Sequence, residues 1–151
     1  MIEAALLQKY ALFGGLMKDQ IQQILPVMET ETYKPGEDII VEGAPNDKIR
    51  FILEGRAAAI KHNVTLSEFA TGDVFGEMEV LDVMPSAATI KALSGTEVIS
   101  ISNKGLRDIY KVDVHIFSII IMNLARELSR RLRRMDEKAV SAYPEEEDRR
   151  Q

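Results

Sequence analysis

The spacing of apolar residues changes twice along the chain. Over residues 1–29 apolar positions recur at helical spacing, and Pro26 is expected to kink or shorten the last of these helices. Residues 30–102 instead carry short β-branched or alternating runs, such as Ile49-Arg50-Phe51-Ile52-Leu53, separated by glycine-containing turns. Helical spacing returns after residue 103. The pattern therefore predicts short helices, then a region of strands, then a second helical region.

A long helix is predicted over residues 113–139, with Asp113 as its N-cap. Apolar residues every three or four positions form one stripe along it: Phe117, Ile121, Leu124, Leu128, Leu132, Met135 and Ala139. Because the stripe is longer than a compact barrel needs to cover, its distal half is predicted to pair with the same stripe of another subunit in a homodimer. The alternative is that the stripe folds back over its own barrel.

Short strands with glycine turns, uninterrupted by long helices, are typical of a barrel or jelly roll and exclude a parallel doubly wound sheet. We predict an α+β fold, in which a jelly-roll β-barrel (double-stranded β-helix) is flanked by N-terminal helices and the long C-terminal helix. A chain of 151 residues suits a single domain, predicted here over residues 1–140. Residues 141–151 lack an apolar period, and we expect them to form a flexible tail.

Composition narrows the classes of function. The chain is 46% hydrophobic and 28% charged, as in an ordinary globular protein, and its net charge of -5 argues against a dedicated nucleic-acid binder. There is no cysteine, which excludes disulfides, thiolate metal ligands and thiol nucleophiles. No apolar run approaches the roughly 20 residues of a membrane span, and no secretory signal is recognised, so we expect no membrane partner and a cytoplasmic location.

No catalytic or metal-binding constellation can be assembled from the sequence. His62 and His115 lie far apart and have no acidic or cysteine partners at metal-ligand spacing. Neither a Ser-His-Asp order nor a convincing pair of catalytic carboxylates is found. We therefore predict no catalytic residues, no metal, no cofactor and no enzymatic activity.

The residues that indicate a function lie in one stretch, residues 72–90, which read GDVFGEMEVLDVMPSAATI and are called the cassette below. A strand, a short helix and a second strand are predicted in turn. Gly76 lets a ligand approach the backbone closely, and amides at the start of a short helix can bind an anion. The cassette is therefore suited to a phosphate. The alternative is that Gly72 and Gly76 serve only as turn residues.

The cassette resembles the phosphate-binding cassette of the cyclic nucleotide-binding domain family, which is found in kinase regulatory subunits, gated ion channels and bacterial catabolite-activator-type regulators. The resemblance extends to residues 33–37 (YKPGE), 42–43 (EG), 52–55 (ILEG) and 124–128 (LAREL), and so covers nearly the whole chain. It implies an eight-stranded jelly-roll barrel flanked by helices.

The resemblance also implies roles for individual residues. Glu77 corresponds to the glutamate that binds the ribose 2′-hydroxyl, whereas Ser86 stands where the family has the arginine that pairs with the cyclic phosphate. Glu79 replaces a small apolar residue and would repel a phosphate that it faced. Arg131 corresponds to the part of the last helix that covers the base, where it either supplies a missing charge or belongs to a solvated helix face. The predicted ligand-binding residues are Phe75, Gly76, Glu77, Met78, Glu79, Ser86, Ala87, Ala88, Arg131 and Leu132.

These residues predict a non-enzymatic sensor or regulatory domain that binds a cyclic nucleotide, cAMP or cGMP, weakly or in an altered way. The alternative is a degenerate domain that acts as a dimerisation or protein-docking module without nucleotide, with Glu77 as a structural carboxylate. Only a short segment follows the long helix, so no helix-turn-helix is expected and direct DNA binding is not predicted.

Overall fold

The computed structural model describes residues 2–142, which contain short helices, eight strands and two longer helices in the predicted order. The helices are α1 (Ala4–Leu7), α2 (Lys18–Ile24), α3 (Glu77–Asp82), α4 (Asn103–Val112) and α5 (Val114–Ser141), and 3-10 turns span Ala11–Phe13 and Leu25–Val27. The strands are β1 (Met28–Tyr33), β2 (Asp38–Ile40), β3 (Lys48–Glu54), β4 (Ala57–Lys61), β5 (Val64–Phe69), β6 (Val74–Phe75), β7 (Thr89–Ala92) and β8 (Thr96–Ser102).

The strands form two antiparallel four-stranded sheets, with the orders β1-β8-β3-β6 and β2-β7-β4-β5. Apolar side chains from both sheets meet in one cluster, which includes Ile52 of β3, Phe75 of β6 and Ala59 of β4. A sandwich of two such sheets with a shared apolar interior is the jelly-roll arrangement. The predicted α+β fold, with its flanking helices, is therefore confirmed.

Strand β3 is buried on both faces, which explains its nearly unbroken apolar run. Ile49 and Phe51 pack against the helices, whereas Ile52 packs in the cluster between the sheets. Phe51 is 1% exposed, and burying a side chain of this size contributes about 1.5–3 kcal/mol to folding. The molecule thus has three layers, in which the first sheet separates the helices from the second sheet.

The start of helix α5 is fixed by a cap and by its first apolar residues. The Asp113 carboxylate accepts hydrogen bonds from the N–H groups of His115 (2.8 Å) and Ile116 (3.3 Å), so the predicted N-cap is confirmed. Ile116 and Ile120 are fully buried against the first sheet and the N-terminal helices. Of the predicted stripe, Leu124 is fully buried, whereas Phe117 and Ile121 are only partly buried, since this part of the helix is apolar on more than one side.

The distal half of α5 is exposed. Beyond Leu128, every described side chain except that of Arg131 faces solvent, and Leu132 and Met135 are 60% and 58% exposed. The distal stripe therefore does not fold back over its own barrel. No helix within residues 2–142 is long and apolar enough to cross a membrane.

Two observed boundaries differ from the predicted ones. Strand β1 begins at Met28 rather than at residue 30, because Pro26 ends the helical segment in a 3-10 turn. Helix α5 continues to Ser141, beyond the predicted end at residue 139. Residues 143–151, the greater part of the predicted tail, lie outside the described residues.

Candidate functional site

The cassette folds as a strand, a tight turn, a short helix and a loop that leads into β7, as predicted. Gly76 connects β6 to α3 with a φ of +83°, and Val83 follows α3 with a φ of +59°. A β-branched residue in the left-handed region is strained, so the surrounding structure must hold it there. The helix of the cassette is therefore bounded by two left-handed backbone positions.

Gly76 packs so closely that no side chain fits there. A Cβ atom at this position would lie 2.7 Å from the carbonyl oxygen of Lys48 and 2.9 Å from Nδ2 of Asn46. Asn46 donates hydrogen bonds from Nδ2 to the carbonyl oxygens of Gly76 (3.1 Å) and Lys48 (3.0 Å). Gly76 is thus required to attach the cassette to β3, whether or not a ligand is present.

A buried arginine supports this attachment. Arg50 of β3 is 8% exposed; it donates to Oδ1 of Asn46 (3.0 Å) and, through Nε, to Oε1 of Glu31 (2.8 Å). Lys48 forms a second salt bridge to Glu31 at 3.4 Å. Burial acts to raise the pKa of the Glu31 carboxyl, but Arg50 and Lys48 outweigh it and hold that pKa below its ordinary value. The hydrogen-bonded chain from Glu31 through Arg50 and Asn46 ends on the backbone of Gly76.

Ser86 lies between the cassette and the turn that follows β2. It is 3% exposed; its N–H donates to the carbonyl oxygen of Ala44 (3.0 Å), and its own carbonyl accepts from the N–H of Gly43 (2.8 Å). Its hydroxyl oxygen has no hydrogen-bond partner among residues 2–142. Ala88, two positions on, packs against the inter-sheet cluster, whereas Ala87 is exposed. A buried polar group without a partner costs about 1–3 kcal/mol, so a ligand atom that could pair with this hydroxyl would be favourable here.

Glu77 is buried and paired with α5. Its side chain is 2% exposed, and Arg131 donates to its Oε1 at 2.5 Å. A second guanidinium nitrogen of Arg131 donates to the carbonyl oxygen of Val74 at 2.6 Å, and the guanidinium carbon lies 5.3 Å from the ring centroid of Phe69. Arg131 therefore lies at the cassette and is not part of a solvated helix face. The charged group that it pairs with there is Glu77.

A family model of the cyclic nucleotide-binding domain matches residues 30–113. The chain belongs to the cyclic nucleotide-binding domain family. It is 30% identical over 105 residues to a cAMP-dependent protein kinase regulatory subunit of Aspergillus fumigatus. The aligned region covers 68% of this chain and 25% of that protein. It is 26% identical over 130 residues to the cyclic AMP receptor protein of Thermus thermophilus. This aligned region covers 83% of this chain and 58% of that protein.

Solved structures show the same fold. A cyclic nucleotide-binding domain from Methylobacillus flagellatus matches with a TM-score of 0.84 and 21% identity, over 93% of this chain and 82% of that chain. The chain spans only 22% and 25% of two of the kinase regulatory subunits that it matches. The relatives matched here are a kinase regulatory subunit and a cyclic AMP receptor protein, so the predicted family and the prediction that the matched domain is not an enzyme are confirmed. Among residues 2–142, no group of three or more acidic, histidine or cysteine side chains is placed to hold a metal ion.

The structure separates the predicted ligand-binding residues into two groups. The inner group is buried or half-buried around the cassette and consists of Phe75, Gly76, Glu77, Glu79, Ser86, Ala88 and Arg131. The outer group, Met78, Ala87 and Leu132, is exposed. The assignment of either group as ligand contacts stays a prediction.

Two features of the site were missed in the sequence. Arg50 carried a signal, because a charged residue inside the apolar run 49–53 must find a partner when both faces of its strand are buried. Nothing in the sequence pointed to Phe69 or to the carbonyl group of Val74, since their contacts depend on where α5 crosses the barrel.

Replacing Gly76 with alanine is expected to destabilise the protein more than the matched change Gly36→Ala. Both glycines have a positive φ, +83° and +86°, so both variants incur about 1–2 kcal/mol of backbone strain. Only at Gly76 does the new methyl group meet backbone, which adds about 1–3 kcal/mol, whereas nothing lies within 4 Å of a Cβ at Gly36. Urea unfolding of both variants measures the difference, and equal losses would contradict the close packing of Gly76.

The stability conferred by Glu77 is expected to depend on pH. Burial raises the pKa of its carboxyl above the ordinary 4.5, and Arg131 offsets this effect only in part. The folded state therefore binds the proton more tightly than the unfolded state, and this stabilisation is present below 4.5 and lost as pH rises through the folded pKa.

Glutamine does not titrate, so the stability of the native protein relative to Glu77→Gln should decline as pH rises above 4.5. Urea unfolding of both proteins at several pH values measures this change, with Glu54→Gln as the control for loss of one exposed negative charge. A difference that stays constant with pH would contradict the raised pKa.

Proposed function

We propose that this chain is a non-enzymatic sensor domain that binds a cyclic nucleotide, cAMP or cGMP, with weakened or altered affinity. The observation that carries the proposal is the buried hydroxyl of Ser86, which lacks a partner among residues 2–142. By the resemblance of the cassette, Ser86 corresponds to the family's phosphate-pairing arginine. The names of the relatives, a cAMP-dependent kinase subunit and a cyclic AMP receptor, support a cyclic nucleotide as the ligand. The same proposal includes a cytoplasmic location.

The chemistry of the site accounts for the weakened affinity. In the proposed complex the Glu77 carboxylate accepts a hydrogen bond from the ribose 2′-hydroxyl, and the Ser86 hydroxyl donates to a phosphate oxygen. An arginine would donate two parallel hydrogen bonds and a full positive charge, which the hydroxyl cannot replace. Loss of one such charged contact costs orders of magnitude in affinity. The cassette itself contains Asp73, Glu77, Glu79 and Asp82 and no basic residue, so it offers the phosphate no other cation.

The second candidate is a docking or dimerisation module that functions without nucleotide. The contact between Arg131 and Glu77 favours it, because the carboxylate that would bind ribose is already paired within the protein. In this case the cassette serves as a structural support for α5.

Under either function we propose that the distal half of α5 forms a homodimer. Leu128, Leu132, Met135 and Ala139 follow the alternating spacing of four and three residues that a two-stranded coiled coil requires. Leu132 and Met135 are more than half exposed, and their own barrel does not cover them. A second copy of the same helix presents the matching stripe.

The substitution Ser86→Arg separates the two candidate functions. If the pocket is otherwise suited to a nucleotide, the restored guanidinium should raise the affinity for cAMP or cGMP by at least about tenfold, measured by calorimetric titration. Ala87→Arg, which adds the same charge at the exposed neighbouring position, serves as the control and should change affinity little. A folded Ser86→Arg protein with no gain in affinity would contradict the sensor proposal and favour the docking module.

The dimer proposal predicts that Leu132→Glu weakens self-association. A carboxylate in the apolar seam of a coiled coil is desolvated and repels its counterpart, so the monomer fraction should rise in sedimentation equilibrium. Val112→Glu, at a 57% exposed apolar position of α4, is the matched control and should leave association unchanged. An equal effect of both variants, or a monomeric native protein, would show that the stripe is not the dimer interface.

A further inference from the structure

The position that corresponds to the family's phosphate-pairing arginine carries no charge in this chain. Ser86 is 3% exposed, and its hydroxyl oxygen has no hydrogen-bond partner among residues 2–142. A serine hydroxyl both donates and accepts, so it pairs well with an uncharged hydroxyl group of a ligand. It cannot compensate for the lost hydration of a full negative charge. Ser86 therefore favours a neutral ligand group over an anion.

Glu79 adds a negative charge beside the same site. It lies two residues after Glu77 in α3, is half-buried, and forms no salt bridge with any residue in the range 2–142. Burial raises the pKa of the Glu77 carboxyl, and the charge of Glu79 raises it further, against the opposing effect of Arg131. The two carboxylates therefore repel each other, and an anion bound beside Glu77 would meet the same repulsion.

The cations described around the cassette already have carboxylate partners. Arg131 is paired with Glu77, while Arg50 and Lys48 are paired with Glu31. The cassette itself contributes four acidic residues and no basic one. A phosphate would enter a region of negative charge and would have to disrupt an existing ion pair to gain a cation. An uncharged ligand has neither cost.

The chemistry of these side chains indicates which uncharged ligand fits. A cyclic nucleotide without its phosphate is a ribonucleoside, and its ribose carries free 3′ and 5′ hydroxyl groups. Such a hydroxyl can donate to a carboxylate and can accept from, or donate to, a serine hydroxyl. Hydrogen bonds to a charged group are stronger than those between neutral groups. Glu79 and Ser86, which oppose a phosphate, would thus both become partners of a nucleoside.

We propose that the ligand of this site is an uncharged ribonucleoside, whose free ribose hydroxyls pair with Glu79 and Ser86, in preference to a cyclic nucleotide. The inference rests on the proposed sensor function and explains why the affinity for a cyclic nucleotide is weakened. Glu79 selects against the phosphate, and Ser86 binds a hydroxyl in its place.

Calorimetric titration of the unmodified protein tests this preference directly. The probes are two matched pairs, adenosine with cAMP and guanosine with cGMP. In at least one pair the nucleoside should bind at least about tenfold more tightly than the cyclic nucleotide of the same base, since only the cyclic nucleotide carries the uncompensated charge. A cyclic nucleotide that binds as tightly as its nucleoside in both pairs would overturn the inference.

Two substitutions test the residues that set the preference. Glu79→Gln removes the charge and keeps the shape of the side chain, so the ratio of nucleoside affinity to cyclic nucleotide affinity should fall at least about tenfold. Ser86→Arg should reverse the preference, because the buried guanidinium has a partner only when the ligand carries a phosphate. Glu54→Gln removes an exposed negative charge outside the cassette and should leave the ratio unchanged. A folded Glu79→Gln protein with an unchanged ratio would overturn the inference.

Failure of the inference differs from failure of the proposed function. If the unmodified protein binds cyclic nucleotides but neither nucleoside, the inference is wrong and the sensor proposal stands. If it binds neither class, both are wrong, and a folded Ser86→Arg protein that also binds neither class favours the docking module. Thermal unfolding of each variant shows whether it is folded.

Discussion

Two ion pairs with buried members hold the cassette, and the rest of the site depends on them. A carboxylate inside an apolar barrel is stable only when a cation or several donors compensate for its lost hydration. Glu31 of β1 finds this compensation in Arg50 of β3, on the other side of β8, and Glu77 finds it in Arg131, 54 positions away in the chain. The first pair fixes the cassette to the sheet, and the second connects it to the long helix. Helix α5 is thereby held to the barrel through the contacts of Arg131 with Glu77, Val74 and Phe69.

Much of the fold could be predicted because it rests on local pattern. The β-branched runs, the glycine turns and the N-cap at Asp113 are read directly from neighbouring residues, and the structure has them where expected. The exact buried face of α5 was less predictable. Apolar residues surround the first half of that helix, so its pattern alone does not determine that Ile116 and Ile120, rather than Phe117 and Ile121, are fully buried.

The site was predictable only where the cassette carries its own signal. Glu77, Gly76 and Ser86 were found because they lie within one contiguous motif. For Arg131 the sequence left two alternatives open, a charge supplied at the ligand site or a solvated helix face. Its pairing with Glu77 was not predicted, because only the crossing of α5 over the barrel brings the two side chains together. The contacts of Asn46 with the Gly76 carbonyl were beyond sequence reasoning, because they depend on the register of separate strands.

Strand β6 contributes only two residues, and it lies at the edge of the first sheet, where it pairs with β3 alone. Native proteins open locally as cooperative units, and units with few buried apolar contacts open at the lowest free energy. Val74 and Phe75 are 2% and 1% exposed and belong to the apolar core, so separating this strand would expose core side chains. The side chains of this short strand, rather than its backbone pairing, therefore keep the edge of the sheet closed.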